Sequence, residues 1–180
     1  MTAALTVAAC GSRPTSPEPR TTSVAGPAAP SAPTRTAAIY AAMLDRYLGS
    51  PGESSFQPGS ITKVFVLAQA HPEASSPMDH GRGAVPISQA VQRQISELVR
   101  SEELIWVDDA DDVILRDGCP RVRDDGILIT LGTIKPLGAE VKVGINGFVA
   151  CEGATWLTYV VRFGGTGWKV TGTTGDMAIA

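Results

Sequence analysis

The chain has 180 residues, 43% of them hydrophobic and 18% charged, with 15 Lys and Arg against 18 Asp and Glu for a formal net charge of −3. That length accommodates one domain, and the acidic excess argues against a nucleic-acid-binding protein, which would carry a clustered basic face. There is no run of about 18 apolar residues, so no helix is expected to span a membrane.

The averages hide two unlike parts. Residues 11–37 contain Pro14, Pro17, Pro19, Pro27, Pro30 and Pro33 among Ser, Thr, Ala, Gly and isolated charges, and no aromatic residue precedes Tyr40. Such a segment cannot bury enough apolar surface to offset its ordering entropy, and is expected to be a disordered, partly extended linker. Residues 38–180 are expected to form a single domain. It carries twelve basic and seventeen acidic side chains, a net −5.

At the head of the linker, Val7, Ala8 and Ala9 precede Cys10, and Gly11 and Ser12 follow it. Leu5 to Cys10 resembles the lipobox of bacterial lipoproteins. The resemblance implies that Cys10 is acylated and becomes the first residue after cleavage. Residues 1–10 are then expected to be a truncated or atypical lipoprotein signal, because Met1 to Ala9 holds no Lys or Arg and only a thin apolar stretch. The implied partner is a lipid membrane, met through acylated Cys10. The implied location is extracytoplasmic, on the outer face of a bacterial cell membrane, with the linker as a stalk.

With Cys10 assigned to lipid, Cys119 and Cys151 remain as an even pair, which an oxidising compartment allows to bridge. A bond between them would close a loop of about 30 residues and contribute roughly 3–4 kcal/mol in the chain-entropy model. Two buried free thiols are the alternative. They make a poor metal pair, since no CxxC or nearby His completes a set.

Within the domain, Ile39, Tyr40, Met43, Leu44, Tyr47 and Leu48 form one apolar stripe at helical spacing, stopped by Gly49 and Pro51. Residues 61–69, "ITKVFVLAQ", read as a short buried strand, and 70–84 as a polar loop. A second helix follows with Pro86 in its first turn and Ile87, Val91, Ile95, Leu98 and Val99 on its apolar face. Beyond residue 102 everything reads as antiparallel strand. "ELIWV" and "DVILR" flank the acidic turn "DDADD", and "GILITLG" follows. In "EVKVGINGFVAC", Val141, Val143 and Ile145 alternate, with Gly144 and Gly147 permitting a bend. "TWLTYVVRF" and "WKVTG" close the chain through the "GGTG" turn. No βαβ alternation is visible, which argues against a doubly wound nucleotide fold. The fold class expected is α+β, with two N-terminal helices packed on a curved antiparallel sheet of about six strands.

That order, ending in "GTGWKVTG", is similar to the cone-shaped fold of the nuclear-transport-factor and ketosteroid-isomerase superfamily, and a cone-shaped sheet is what the similarity implies. Fold does not fix function. The text at 147–151, 153–161, 167–175 and 177–180 resembles small uncharacterised lipoproteins of high-GC actinobacteria, which implies the anchor but no activity.

The chemistry-bearing groups are few. "DDADD" (Asp108, Asp109, Asp111, Asp112) does not match the alternate-oxygen spacing of a calcium loop in either frame and is expected to be a solvated turn. His71 and His80, with Asp79, fall in the polar loop. There is no GxSxG motif, and "GGTG" lies in a hairpin, not a phosphate loop. Asp45 and Arg46 on the first helix are expected at the surface. The tyrosines and tryptophans are Tyr40, Tyr47, Trp106, Trp156, Tyr159 and Trp168. Beneath a helical lid, Tyr40, Tyr47, Asn146, Trp156, Thr158 and Tyr159 are the candidates to line a pocket, although aromatics at such positions are ordinarily core. No catalytic set, metal site or cofactor is implied. The expectation is a membrane-anchored binding or accessory domain, with a small cavity enzyme of ketosteroid-isomerase type and an interaction module dimerising through its sheet as alternatives.

Overall fold

The computed structural model describes residues 31–54, 56–57, 59–77 and 83–180. Cys10, linker residues 11–30 and the Asp79–His80 pair lie outside the described residues.

Helix α1 (Ala32–Gly49) buries Ile39, Tyr40, Met43, Leu44, Tyr47 and Leu48, the stripe its spacing foretells. It begins six residues before the expected domain boundary. Pro33 sits in its first turn, where the missing N–H has no partner to lose, and Ala37, one turn on, is fully buried. It ends where Ser50, immediately before Pro51, turns extended at φ −115°, ψ 103°.

Strand β1 (Lys63–His71) follows, with Val64 to Ala68 all buried, as a strand covered on both faces must be. Val85–Pro86 forms a short antiparallel partner, β2, so Pro86 belongs to a strand and not to the next helix. Helix α2 (Gln89–Leu98) is capped by Ser88, whose side chain accepts from the Val91 N–H at 3.4 Å, and it buries Val91 and Ile95. β3 (Leu104–Val107) comes next, then a short hairpin of β4 (Ile114–Leu115) and β5 (Arg121–Val122). β6 (Gly126–Gly132), β7 (Lys135–Leu137), β8 (Glu140–Ala150), β9 (Gly153–Gly164), β10 (Gly167–Thr173) and β11 (Ala178–Ile179) complete the chain.

The class is α+β, but the sheet departs from expectation in size and direction. Among the described residues it has eleven strands, with β2-β1-β6-β8-β9-β10 as its main path, and it is not closed. It is mixed: β1 runs parallel to both β3 (Val64↔Leu104) and β6 (Val64↔Ile127), while β6, β8, β9 and β10 form the antiparallel part. The expectation that everything after residue 102 is antiparallel therefore fails at β3 and β6. Helix α2 carries the chain back across the sheet, so β3 starts at the same end as β1, and a crossover of that kind pairs strands in parallel. For the same reason the acidic stretch is not a hairpin between its flanking strands. β3 pairs with β1 and β4 with β5, while Ala110–Asp112 forms an exposed 3₁₀ turn.

Both faces of the sheet are covered. α1 and α2 pack on Val64, Val66, Ile127, Ile129, Val143 and Ile145. On the opposite face, Phe65, Leu67 and Leu128 meet Val113, just before β4, and Val122 of β5. That hairpin is stapled down. Cys119 in its loop and Cys151 in the β8–β9 turn stand at disulfide distance with Cα atoms 5.7 Å apart, in the range a bridge requires. Both residues are exposed, not buried thiols.

Candidate functional site

Strand geometry decides which of the six expected pocket residues can meet. Successive side chains on β9 point to opposite faces. Thr155, Leu157, Tyr159 and Val161 are the fully buried set facing the helices, with Trp156 and Thr158 on the other side. On β8, Asn146 is opposite Trp156 and Gly144 opposite Thr158, so Asn146 shares that outer face. Tyr40, Tyr47 and Tyr159 thus gather beneath α1, and Asn146, Trp156 and Thr158 lie behind the sheet. The six do not form one pocket. Neighbours such as Thr158 and Tyr159 on a regular strand could not have shared one, and the period of two was the signal that could have said so.

Beneath α1, the three tyrosines of the chain fill the interior. Tyr40 and Tyr47, seven residues and two turns apart, project from one helix face. The Tyr40 hydroxyl donates to the Gly132 carbonyl at 2.9 Å, and burial pushes its pKa up to about 12. Tyr47 is fully buried, stacks edge-on against Phe56 with ring centroids 5.9 Å apart, and is likewise pushed up to about 12. Its hydroxyl lies over Gly147, where a Cβ would stand 2.1 Å from the oxygen. Thr155, opposite Gly147 on β9, acts against that rise as the lesser influence. Both hydroxyls are without a partner among the described residues.

Glu53, just past the end of α1, is the residue that sequence reasoning missed. The Tyr159 hydroxyl donates to its Oε2 at 2.8 Å, and Arg46 Nε donates to the same oxygen at 3.0 Å while Arg46 Nη2 meets Oε1. The Arg46 guanidinium holds the Glu53 carboxyl below its ordinary range; burial opposes this, and the Tyr159 hydrogen bond adds a smaller lowering. Burial first, and the Glu53 carboxylate second, drive the Tyr159 phenol well above its ordinary value. Arg46 is exposed, as expected, and from the surface it anchors a half-buried carboxylate. Its neighbour Asp45 accepts from the Arg100 N–H and the Ser101 hydroxyl, tying α1 to the end of α2.

Among the concavities of the described residues, two include expected pocket residues. An apolar groove of about 440 Å³ runs between the first turns of α1 and α2, lined by Ala32, Thr36, Tyr40, Val85, Ile87 and Ile134 among others. Tyr40 is the only one of the six expected pocket residues that lines it. A polar hollow of about 290 Å³ on the outer face of the sheet includes Thr158. Of the remaining aromatics, Trp106 donates to Ser96 Oγ at 2.9 Å, and Trp168 packs edge-on to Phe163 with the Arg35 guanidinium 5.1 Å above its ring. His71 is the last residue of β1.

No protein-family model, curated protein or solved structure matches the chain.

Proposed function

We propose that this protein is a lipoprotein, held by acyl groups on Cys10 at the outer face of a bacterial cell membrane, whose folded part is a non-catalytic binding or accessory domain. The observation that carries the reading is the exposed Cys119–Cys151 pair at disulfide distance. A solvent-facing bridge of this kind suits a chain that matures outside the reducing cytoplasm, which is where a lipobox cysteine and a Pro-rich stalk would deliver it.

The interior supports the non-catalytic half of the reading. A cavity enzyme of ketosteroid-isomerase type calls for a carboxyl group in a closed apolar pocket with its pKa raised toward neutrality. Glu53, the carboxylate that meets the Tyr159 hydroxyl, is shifted the other way by Arg46, and the space beneath α1 is occupied by tyrosine rings that stay neutral. The resemblance to the cone fold remains part of this proposal, supported by α1 lying over the antiparallel part of an open sheet. A dimer through the sheet would have to use the portion of the outer face that the β4–β5 hairpin leaves free.

The deciding experiment is the intact mass of the protein recovered from its native membrane, before and after reduction. A mass of residues 10–180 plus a diacylglyceryl group, with a gain of about two daltons on reduction, is the expected result. An unacylated chain retaining residues 1–9 would overturn the anchor.

A further inference from the structure

The polar hollow behind the sheet has a charge arrangement that a solvated surface does not explain well. In the β7–β8 hairpin Lys135 and Lys142 are directly opposite one another, and like charges in that relation destabilise a hairpin. Glu73 neutralises Lys135 at 2.9 Å. Lys142 has no ion pair among the described residues, in a chain whose net charge is −3.

Lys135 and Lys142 line the same concavity, together with Glu73, Ser75, Thr158 and Thr174. None of these three hydroxyls makes a hydrogen bond to another described residue. The wall is built by close backbone approach. Gly144 lets the loop after β1 settle on the sheet, since a Cβ there would lie 2.9 Å from the Ser75 nitrogen and 3.1 Å from its Oγ. On the far side the Thr174 N–H bonds to the Thr158 carbonyl at 2.9 Å, and Gly175 turns the chain at φ 76°.

We propose that this hollow is a binding site for a phosphate group, free or as a phosphomonoester, with Lys142 as its principal cation, Lys135 shared between the ligand and Glu73, and the hydroxyls of Ser75, Thr158 and Thr174 as neutral donors. A tetrahedral oxyanion relieves the Lys–Lys opposition and offers acceptors to donors arranged on several sides. Hydrogen bonds from ammonium to such oxygens are the strong, charge-assisted kind. The proposal deepens the reading of the domain as a binding module and rests on that half of it. The membrane anchor is decided separately by the mass at Cys10, so failure here leaves the anchor untouched.

The test is an amide NMR titration of the full chain, cysteine pair intact, with inorganic phosphate at ionic strength held constant by chloride. Saturable shifts centred on Ser75, Gly144, Thr158 and Gly175 are expected, and Lys142→Gln should weaken binding about tenfold or more while Lys169→Gln, on β10, stays within about twofold. An unchanged spectrum away from the hollow shows that each variant is folded. Glycerol 3-phosphate serves as a second probe. Tighter binding than inorganic phosphate assigns the site to phosphomonoesters, and equal binding assigns it to the free ion. No saturable shift with either probe up to about 50 mM, or equal affinity in Lys142→Gln and the parent, overturns the proposal.

Discussion

The hydroxyl of Tyr159 donates to the carboxylate of Glu53 at 2.8 Å across 106 residues of chain. That bond joins the middle of β9 to the turn that leaves α1, and Arg46 closes the arrangement from the helix itself. Together with the bond from the Tyr40 hydroxyl to the Gly132 carbonyl, it ties the helical layer to the sheet by polar groups.

This tie makes stability sensitive to acid. Glu53 has a depressed folded-state pKa, with Arg46 the largest cause. The stability it contributes is complete above the unfolded carboxyl value, about 4.3, and is lost as pH falls through the folded value. Urea denaturation between about pH 7 and pH 3 should show an acid limb that is shallower in Glu53→Gln than in the parent. Because Arg46 is half exposed, the difference should be on the order of 1 kcal/mol. Tyr159→Phe should cost about 1 kcal/mol at neutral pH. Identical acid limbs in parent and Glu53→Gln would refute the assignment.

The tyrosines give an alkaline counterpart. All three are buried with raised pKa values, Tyr40 and Tyr47 to about 12 and Tyr159 further still. Absorbance at the phenolate band should therefore show no step near pH 10 in the native protein, and three ionising groups once denaturant is added. A raised phenol stabilises the fold fully below about pH 10, where it is neutral in both states, and loses that contribution as pH rises from about 10 through the folded value. A native-state phenolate step near pH 10 would mean that at least one ring is solvated.

Gly147 is there because Tyr47 is. In Gly147→Ala the new methyl would meet the Tyr47 hydroxyl at 2.1 Å, an overpacking expected to cost about 2–3 kcal/mol. Tyr47→Phe alone removes a buried hydroxyl without a partner among the described residues and should be nearly neutral. Combined, the two should recover about 1 kcal/mol of the glycine penalty, since the ring carbons at 2.7 and 2.9 Å remain close. Denaturant midpoints of the four proteins give the coupling directly, and strict additivity would show that the contact does not limit packing.

The Cys119–Cys151 pair, 32 residues apart, should contribute about 3–4 kcal/mol by shortening the unfolded chain. Its loss should be felt locally first. In Cys119→Ser, hydrogen exchange should accelerate most in the β4–β5 hairpin over Phe65, Leu67 and Leu128, with α1 and β8 still protected. Uniform acceleration across the sheet would show that the hairpin is not a separable unit.

The sequence by itself determined the elements whose burial is one-sided and periodic. α1 follows from a stripe at helical spacing stopped by Gly49 and Pro51, and the buried face of β8 from alternating Val141, Val143 and Ile145, because a single element can display its own period without reference to any other. The cysteine pairing was within reach only with Cys10, the first of three cysteines, set aside by its resemblance to a lipobox, which leaves Cys119 and Cys151 as a pair. Only the tertiary structure decided that β1 pairs in parallel with β3 and β6, because direction depends on where the α2 crossover delivers the chain. It also decided that Glu53, in an unremarkable turn, meets a tyrosine 106 residues away. Those relations belong to pairs of distant segments, and no local pattern in either segment encodes the other's position.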